Sequence, residues 1–223
     1  MTEEQGPSDE GEASAPTLEP IPAPSAEDLR NSPWRNPAQW EVWADREIQG
    51  LNRSFNHLLP FDMTLSRSAT KDGKHPAMAI DIRVVFDCHV VTEAFNPQLH
   101  VSPVPVEETW HDASKSLRVY HADRFQLSQG LPQLIKDMTT TGKNPRCFET
   151  NRNNFMVLEK QGTAQPPAYY HVFFDLYRSP RPQGSGSRLI LYVQSAYLKS
   201  VPMRNHRTDS TLFVAVCAKK MGL

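Results

Sequence analysis

The stretch YYHVFFDLYRSPRPQGSGSRLILYVQSAYLKS, from Tyr169 to Ser200, decides the fold. Two apolar, aromatic-rich segments, Tyr169–Tyr177 and Leu189–Tyr197, flank a polar loop rich in Pro, Gly, Ser and Arg. This pattern is typical of a β-hairpin with a long exposed loop. The sequence therefore predicts a pair of antiparallel strands as the centre of a sheet.

The end of the second hairpin strand carries polar side chains. Gln194, Ser195 and Tyr197 stand where a core strand is expected to meet solvent, next to Lys199. Polar groups held by a rigid strand are common at functional sites. The pattern indicates this strand end as one part of a candidate site.

Two helices are predicted outside the hairpin. Within Trp34–Leu59, apolar residues recur at three- and four-residue steps, which favours a helix that packs on the core. Asn36 and Pro37 fit a helix cap followed by proline in the first position. In Gln126–Thr140, apolar residues at helical spacing follow Ser128, which fits a second helix start.

Further strands are predicted from short apolar, β-branched runs. Together with the hairpin and the two helices, these strands predict an α+β fold with helices packed on one face of a curved, mainly antiparallel sheet. The predicted strands are Pro76–Thr92, Ser116–Tyr120, Arg146–Thr150, Asn154–Glu159 and Thr211–Ala218.

The chain divides into a tail and one domain. Residues 1–33 are rich in Pro, Glu, Ser and Ala and carry eight acidic residues against one basic. They have too few apolar side chains to offset chain entropy, so we expect an acidic, disordered tail. Subtracting the tail from 25 acidic and 24 basic residues leaves 17 and 23 for residues 34–223, a single and mildly basic α+β domain.

Several classes of protein are disfavoured by composition and motifs. The three cysteines show no CxxC spacing, which disfavours a disulfide scaffold and a structural zinc site. The chain has no apolar run long enough for a membrane span and no signal-peptide pattern, so we expect a soluble, cytoplasmic protein. A phosphate-binding glycine loop, HExxH and GxSxG are absent from the sequence, and we expect no cofactor.

A metal site at Cys88 and His89 is not expected from the predicted strand Pro76–Thr92. Neighbouring side chains on a strand point to opposite faces and do not chelate one ion together. Ligands that converge from distant strands remain an alternative. No metal ligand is therefore assigned from the sequence.

The candidate site residues come from the second half of the chain. His121 and Arg124 precede the predicted helix, Arg152 lies in the polar ETNRN segment, and Ser195 and Tyr197 end the hairpin. Such a set suits RNA cleavage by the 2′-hydroxyl, in which a His or Glu takes the proton and a cation stabilises the phosphorane. An exposed tyrosine can also stack on a base. The structural alternatives are a surface ion pair for the arginine in ETNRN and simple strand ends for the serine and tyrosine.

The succession LPQLIKDM, CFETNRNNFMVLE, YYHVFFDLYR and LILYVQSAYLKS resembles the barnase–EndoU–colicin–RelE nuclease superfamily in domains borne by phages and mobile elements. The resemblance covers roughly residues 120–200. It implies metal-independent ribonuclease activity, with His121 as the early histidine, Arg124 or Arg152 as a phosphate-binding cation, and Ser195 with Tyr197 at the last strand. The sequence pairs no Glu clearly with a His as acid and base.

Two functions follow as expectations. The first is a metal-independent ribonuclease or toxin-like RNA-cleaving domain of a bacterial mobile element, with RNA as its partner. The alternative is a non-enzymatic regulatory or adaptor protein, which binds a protein or RNA partner through its acidic tail or its sheet face. Neither function requires contact with a membrane.

Overall fold

The computed structural model describes most of the chain after residue 46. The described residues are 47–48, 53–69, 76–105, 108–112, 114–140, 143–150, 155–161, 168–181, 186–199 and 210–223. The predicted acidic tail lies outside them. None of the helices within these ranges is long and apolar enough to cross a membrane.

In the described residues, seven strands come first, two helices follow, then five strands that include the hairpin, and then a last helix. The strands are β1 Glu47–Ile48, β2 Arg53–Ser54, β3 Phe61–Arg67, β4 Met78–Phe86, β5 Thr92–Ala94, β6 Thr109–His111, β7 Leu117–Tyr120, β8 Arg146–Glu149, β9 Phe155–Gln161, β10 Ala168–Pro180, β11 Ser187–Lys199 and β12 Ser210–Leu212. The helices are α1 Ala122–Ser128, α2 Leu131–Asp137 and α3 Phe213–Met221.

The main sheet has seven strands in the order β12-β8-β9-β10-β11-β4-β3. Strands β11 and β4 run parallel, and the other neighbours are antiparallel. A smaller antiparallel sheet has the order β5-β7-β6, and β1 pairs with β2. The α+β class and the mainly antiparallel pairing predicted from the sequence are confirmed.

The predicted hairpin is present and is longer than its apolar segments. β10 pairs with β11 from Tyr169 opposite Lys199 to Pro180 opposite Ser187. The register shifts between Phe173 and Phe174, where β11 contains one extra residue. Such a bulge increases the local twist and changes the direction of the strand end that carries the predicted site.

One face of the sheet forms the main core. Alternate residues of β10 and β11 point to the same face and are almost completely buried. Helix α3 packs there through Phe213, whose ring stands edge-on to that of Phe174 with centroids 6.0 Å apart. Lys136 of α2 lies over Phe61, which is opposite Val84 on the same face. The core residues of the hairpin are Tyr170, Val172, Phe174, Leu176, Leu189, Leu191, Val193 and Ala196.

The predicted helix Trp34–Leu59 is wrong over its described residues. β1 and β2 form an antiparallel pair, and Asn56–Leu58 form a short 3-10 helix. Gly50 interrupts the helical period, and glycine is unfavourable inside a helix. Phe55 and Leu58 are nevertheless buried, as the apolar pattern predicted.

The predicted strand Pro76–Thr92 is broken by a turn. β4 ends at Phe86, and Cys88–Val90 form a 3-10 helix whose start is capped by the side chain of Asp87. The Asp87 carboxylate accepts a hydrogen bond from the backbone N–H of His89 at 3.0 Å. Since this local cap competes with strand pairing, the chain turns away from the main sheet and starts β5 at Thr92.

The helix predicted over Gln126–Thr140 is two helices. α1 begins at Ala122, before the predicted start, and α2 begins at Leu131 with Pro132 in its first turn. Proline has no N–H for the preceding turn, which explains why a new helix starts there. Ser128 is therefore not a helix start; it is buried and donates a hydrogen bond to the carbonyl of Phe125.

The predicted last strand, Thr211–Ala218, is mostly a helix. Only β12 is extended, and α3 continues to Met221, where Gly222 ends it with φ of 79°. A short apolar run does not distinguish a buried strand from a buried helix. The glycine in a left-handed conformation after the last helical residue is the signal for the helix end.

Stability is expected to fall above about pH 9. Burial raises the pKa of the Cys147 thiol from its ordinary value near 9 to about 12. In the unfolded chain the thiol ionises from about pH 9, so this thiol alone lowers the free energy of unfolding by about 1.4 kcal/mol per pH unit until the folded thiol also ionises, and the buried thiols of Cys88 and Cys217, whose pKa values burial also raises, act in the same direction. Urea denaturation under reducing conditions at pH 8, 10 and 11 measures this slope.

The matched variants are Cys147→Ala and Val216→Ala. Both lose buried side-chain volume, but Val216 has no ionisable group. The alanine at position 147 should make the pH dependence shallower, and the alanine at position 216 should leave it unchanged. Equal slopes in wild type and Cys147→Ala would show that this thiol does not cause the alkaline loss.

Candidate functional site

His121 begins helix α1 and is held from both sides. It is the N-cap residue, with extended φ and ψ of −127° and 111°, and its Nδ1 accepts a hydrogen bond from the backbone N–H of Arg124 at 3.4 Å. Its own N–H donates to the carbonyl of Val91 at 2.9 Å. With Nδ1 used in the cap, Nε2 is the ring nitrogen that remains for chemistry.

Arg124 joins α1 to the turn between β4 and β5. Its Nη1 donates to the carbonyl of His89 at 3.0 Å and to that of Thr92 at 2.7 Å. The guanidinium carbon lies 5.5 Å from the ring centroid of Tyr197. Burial, and then the nearby Arg118, lower the pKa of Arg124 below its usual value. The guanidinium keeps its charge at neutral pH because its ordinary pKa is so high.

Glu93 supplies the carboxylate that the sequence did not reveal. Its side chain lies between two histidines, with 3.0 Å from Oε1 to Nε2 of His100 and 3.8 Å from Oε2 to Nε2 of His121. We call these three residues the Glu93 cluster. The side chains of Glu93 and His121 are 36% and 30% exposed, so solvent and a substrate can reach them.

His100 positions Glu93. Nδ1 of His100 accepts a hydrogen bond from the backbone N–H of Asn96 at 2.8 Å, which leaves Nε2 to donate to the carboxylate. The ring also stacks on Phe95 with centroids 5.5 Å apart. With one nitrogen fixed by the backbone and the ring fixed by packing, His100 orients the carboxylate rather than exchanging protons with a substrate.

Tyr197 joins this site, but its ring is already covered. Phe173 stacks on it with centroids 5.4 Å apart. The ring also has two cation contacts, one with the guanidinium group of Arg124 and one with the ammonium group of Lys199, which lies 5.3 Å from the ring centroid. Buried His171 lies opposite on β10 with its ring parallel to that of Tyr197. The expected stacking of an RNA base on Tyr197 is therefore not supported by its surroundings, and His171 has a packing role.

The other two predicted site residues are not brought to the Glu93 cluster. Ser195 lies on the same face of β11 as Tyr197, opposite Phe173, about 7 Å further along the strand. Arg152 lies outside the described residues. Of the five predicted residues, the structure gathers His121, Arg124 and Tyr197.

A second polar cluster lies at the end of β4. Asp87, Cys88 and His89 place one ligand atom each within 4.8 Å of one another. The argument that these neighbours point to opposite faces is wrong, because the strand ends at Phe86 and the chain enters a 3-10 helix. Three successive residues at such a turn can converge on one point.

Thr92 connects the two clusters. Its carbonyl accepts hydrogen bonds from Arg124 and from Arg118, at 2.7 and 3.1 Å. Its hydroxyl accepts from Nε of Arg118 and donates to the carbonyl of Cys88, both at 2.8 Å. The residue is completely buried, so these bonds fix β5, and with it Glu93, relative to the turn.

Sequence reasoning missed Glu93 and His100 because their contacts form across a turn and a proline-rich loop. The signal that could have found His100 is Asn96 followed by Pro97, a dipeptide that favours turn initiation and brings the chain back toward β5. Glu93 stands in a short apolar run, where a carboxylate is unusual unless it is paired.

Comparison with known proteins gives one match. The model described as the YjaZ family matches residues 45–221, well over half of the chain and nearly all of the described fold. No curated protein matches. No solved structure matches.

Proposed function

The chain belongs to the YjaZ family, and we propose that it is a ribonuclease that cleaves RNA through attack of the 2′-hydroxyl, without a metal ion in the reaction. One observation carries the proposal. The Glu93 carboxylate lies within 3.8 Å of His121 on a half-exposed surface, with the cation of Arg124 beside them. A base, an acid and a cation are the three groups that this reaction needs.

We assign the base to Glu93 and the acid to His121. Glu93 takes the proton of the 2′-hydroxyl, and the oxygen attacks the adjacent phosphorus. His121 acts as the imidazolium: it gives its Nε2 proton to the departing 5′-oxygen, which leaves a 2′,3′-cyclic phosphate, and the neutral ring with its proton back on Nε2 then restores the cap bond through Nδ1. Because the cap bond holds His121 by its Nδ1, the other nitrogen faces Glu93 and the solvent side.

Arg124 is assigned to the charge that develops on the phosphorane. Its Nη1 is used in binding two carbonyls, so the group cannot swing toward solvent and its charge stays at one place. A cation that is fixed before the reaction needs no reorganisation at the transition state. Exposed Lys199, whose ammonium group lies 5.3 Å from the ring centroid of Tyr197, is available to an RNA backbone phosphate.

The proposal is tested by RNA cleavage in EDTA with the variant His121→Asn. Asparagine is a good N-cap residue, so the variant keeps the start of α1 and removes only the acid. We expect the wild-type protein to cleave single-stranded RNA and the variant to be at least about 100-fold slower. The control is His111→Gln, which changes an exposed histidine on β6.

Folding of each protein is confirmed by circular dichroism before the assay. Cleavage by wild type and His111→Gln but not by His121→Asn supports the proposal. No cleavage by folded wild-type protein, or equal rates for wild type and His121→Asn, contradicts it.

A second candidate is a non-enzymatic protein that binds a protein partner. It is favoured by Leu99 and Val101, which are 77% and 87% exposed on the loop that carries His100. Two large apolar side chains exposed together on one loop are typical of an interaction surface. If the wild-type protein does not cleave RNA, this loop is the surface with which to search for a partner.

A further inference from the structure

The turn after β4 brings a carboxylate, a thiol and an imidazole together, and a second carboxylate contacts the imidazole. Asp87, Cys88 and His89 lie at or next to a 3-10 turn and place their ligand atoms within 4.8 Å of one another. Asp112, at the end of β6, adds a carboxylate oxygen 3.3 Å from Nε2 of His89. We call these four residues the Asp87 cluster.

The distances within the Asp87 cluster fit a common ion. Nε2 of His89 is 3.3 Å from Oδ2 of Asp112 and 3.8 Å from Oδ1 of Asp87. When zinc is bound by four ligands at about 2.0–2.3 Å, neighbouring ligand atoms are about 3.3–3.8 Å apart. The spacing of Asp87, Cys88 and His89 is therefore close to that of one metal shell, and Asp112 lies outside the group whose ligand atoms are all within 4.8 Å of one another.

Both carboxylates are held by partners outside the cluster. Oδ1 of Asp112 accepts hydrogen bonds from the backbone N–H groups of Ser114 and Ser116 at 2.9 and 3.0 Å. Oδ2 of Asp87 accepts a hydrogen bond from the hydroxyl of Tyr192. In each case the other oxygen faces His89. Outer hydrogen bonds of this kind orient the ligands of metal sites.

Charge and burial also favour a divalent ion. Asp87 is 6% exposed and Cys88 is completely buried. With the thiol ionised, the two carboxylates and the thiolate carry three negative charges. A bound divalent ion reduces the net charge of the group to one negative charge. Arg118, itself 8% exposed and 3.8 Å from Asp112, neutralises that charge. Buried charges are stable only when they are paired in this way.

We propose that Asp87, Cys88 and His89 bind one divalent transition-metal ion, with zinc as the ion that best fits a mixed sulfur, nitrogen and oxygen set, and that Asp112 orients His89 from outside the shell. On binding, the thiol of Cys88 loses its proton to solvent and the sulfur forms a bond to the metal. Asp87 and Cys88 are buried, so we assign the ion a structural role. It fixes the turn that holds Thr92 and Arg124, and it takes no part in the proposed RNA cleavage.

The test is a Co²⁺ titration of the full chain after treatment with a chelator and removal of the chelator. Cobalt bound by a thiolate gives a charge-transfer absorption in the near ultraviolet, and a four-coordinate ion gives strong visible bands. We expect both at one equivalent of metal, with loss of the visible bands when Zn²⁺ is added. No such absorption with folded wild-type protein would overturn the proposal.

Variants locate the ion. His89→Gln and Asp112→Asn should each weaken Co²⁺ binding at least about 10-fold, and Cys88→Ala should remove the charge-transfer absorption. Cys147→Ala and His111→Gln are the controls and should bind as wild type does. If Cys88→Ala does not fold, Co²⁺ binding by His89→Gln and Asp112→Asn tests the position of the ion. Wild-type affinity in His89→Gln and Asp112→Asn, or charge transfer that is lost in Cys147→Ala, would overturn the assignment.

Discussion

Glu93→Gln is expected to slow RNA cleavage by about 10²–10⁴-fold, the usual contribution of a general base. Glutamine has the same shape and keeps an oxygen that can accept from His100, 3.0 Å away in the wild type. The variant therefore loses the negative charge and the basicity and retains the packing. Initial rates on a fluorescent single-stranded RNA, measured above and below KM, show whether the loss is in kcat.

Asp123→Asn is the matched control for this variant. Asp123 is an exposed acid in the first turn of α1, two residues after His121, and its replacement changes the net charge by the same amount. We expect its cleavage rate to stay within a factor of a few of the wild-type rate. If the two variants lose activity equally, the effect is one of overall charge and Glu93 is not the base.

Phe174→Ala is expected to lower the free energy of unfolding by about 3–5 kcal/mol, the usual cost of removing a buried phenylalanine. The ring is completely buried in the middle of β10. It stacks on Phe155 of β9 with centroids 5.9 Å apart and meets Phe213 of α3 edge-on. Its loss leaves a cavity between the sheet and the last helix, which urea denaturation followed by circular dichroism will measure.

Leu198→Ala is the comparison for that variant. Leu198 is an apolar residue of the same hairpin but is 43% exposed, so its truncation removes few contacts and should cost less than about 1 kcal/mol. Similar losses in the two variants would mean that the buried face of β10 is not the centre of the core.

The hairpin and its neighbouring strands could be predicted because their signal is local. Two apolar, aromatic-rich runs joined by a loop of Pro, Gly, Ser and Arg identify β10 and β11. The elements that were wrong are short or are decided by single residues. Gly50 interrupts the helical spacing of apolar residues in Trp34–Leu59. Pro132 divides one helical pattern into two helices, and Gly222 ends a helix that had been predicted as a strand.

The site was predicted in part for a related reason. His121 and Arg124 lie three residues apart at one helix start, so the sequence alone groups them, and the polar end of β11 indicated Tyr197. Glu93 and His100 come from a different sheet and a loop, and their positions depend on the turn at Asp87. That turn is set by a side chain that caps the backbone, which the apolar pattern of the strand does not reveal.

The central claim is that the 2′-hydroxyl of RNA is the nucleophile, and one measurement tests it directly. Four DNA oligonucleotides, each with a single ribonucleotide of a different base, are incubated with the wild-type protein in EDTA beside an all-DNA oligonucleotide. The account predicts one cut, directly after the ribonucleotide, with a 2′,3′-cyclic phosphate on the product and no cut in the all-DNA strand. Cleavage of the all-DNA strand, a product ending in a free 3′-hydroxyl, or no cut in any of the four would contradict it.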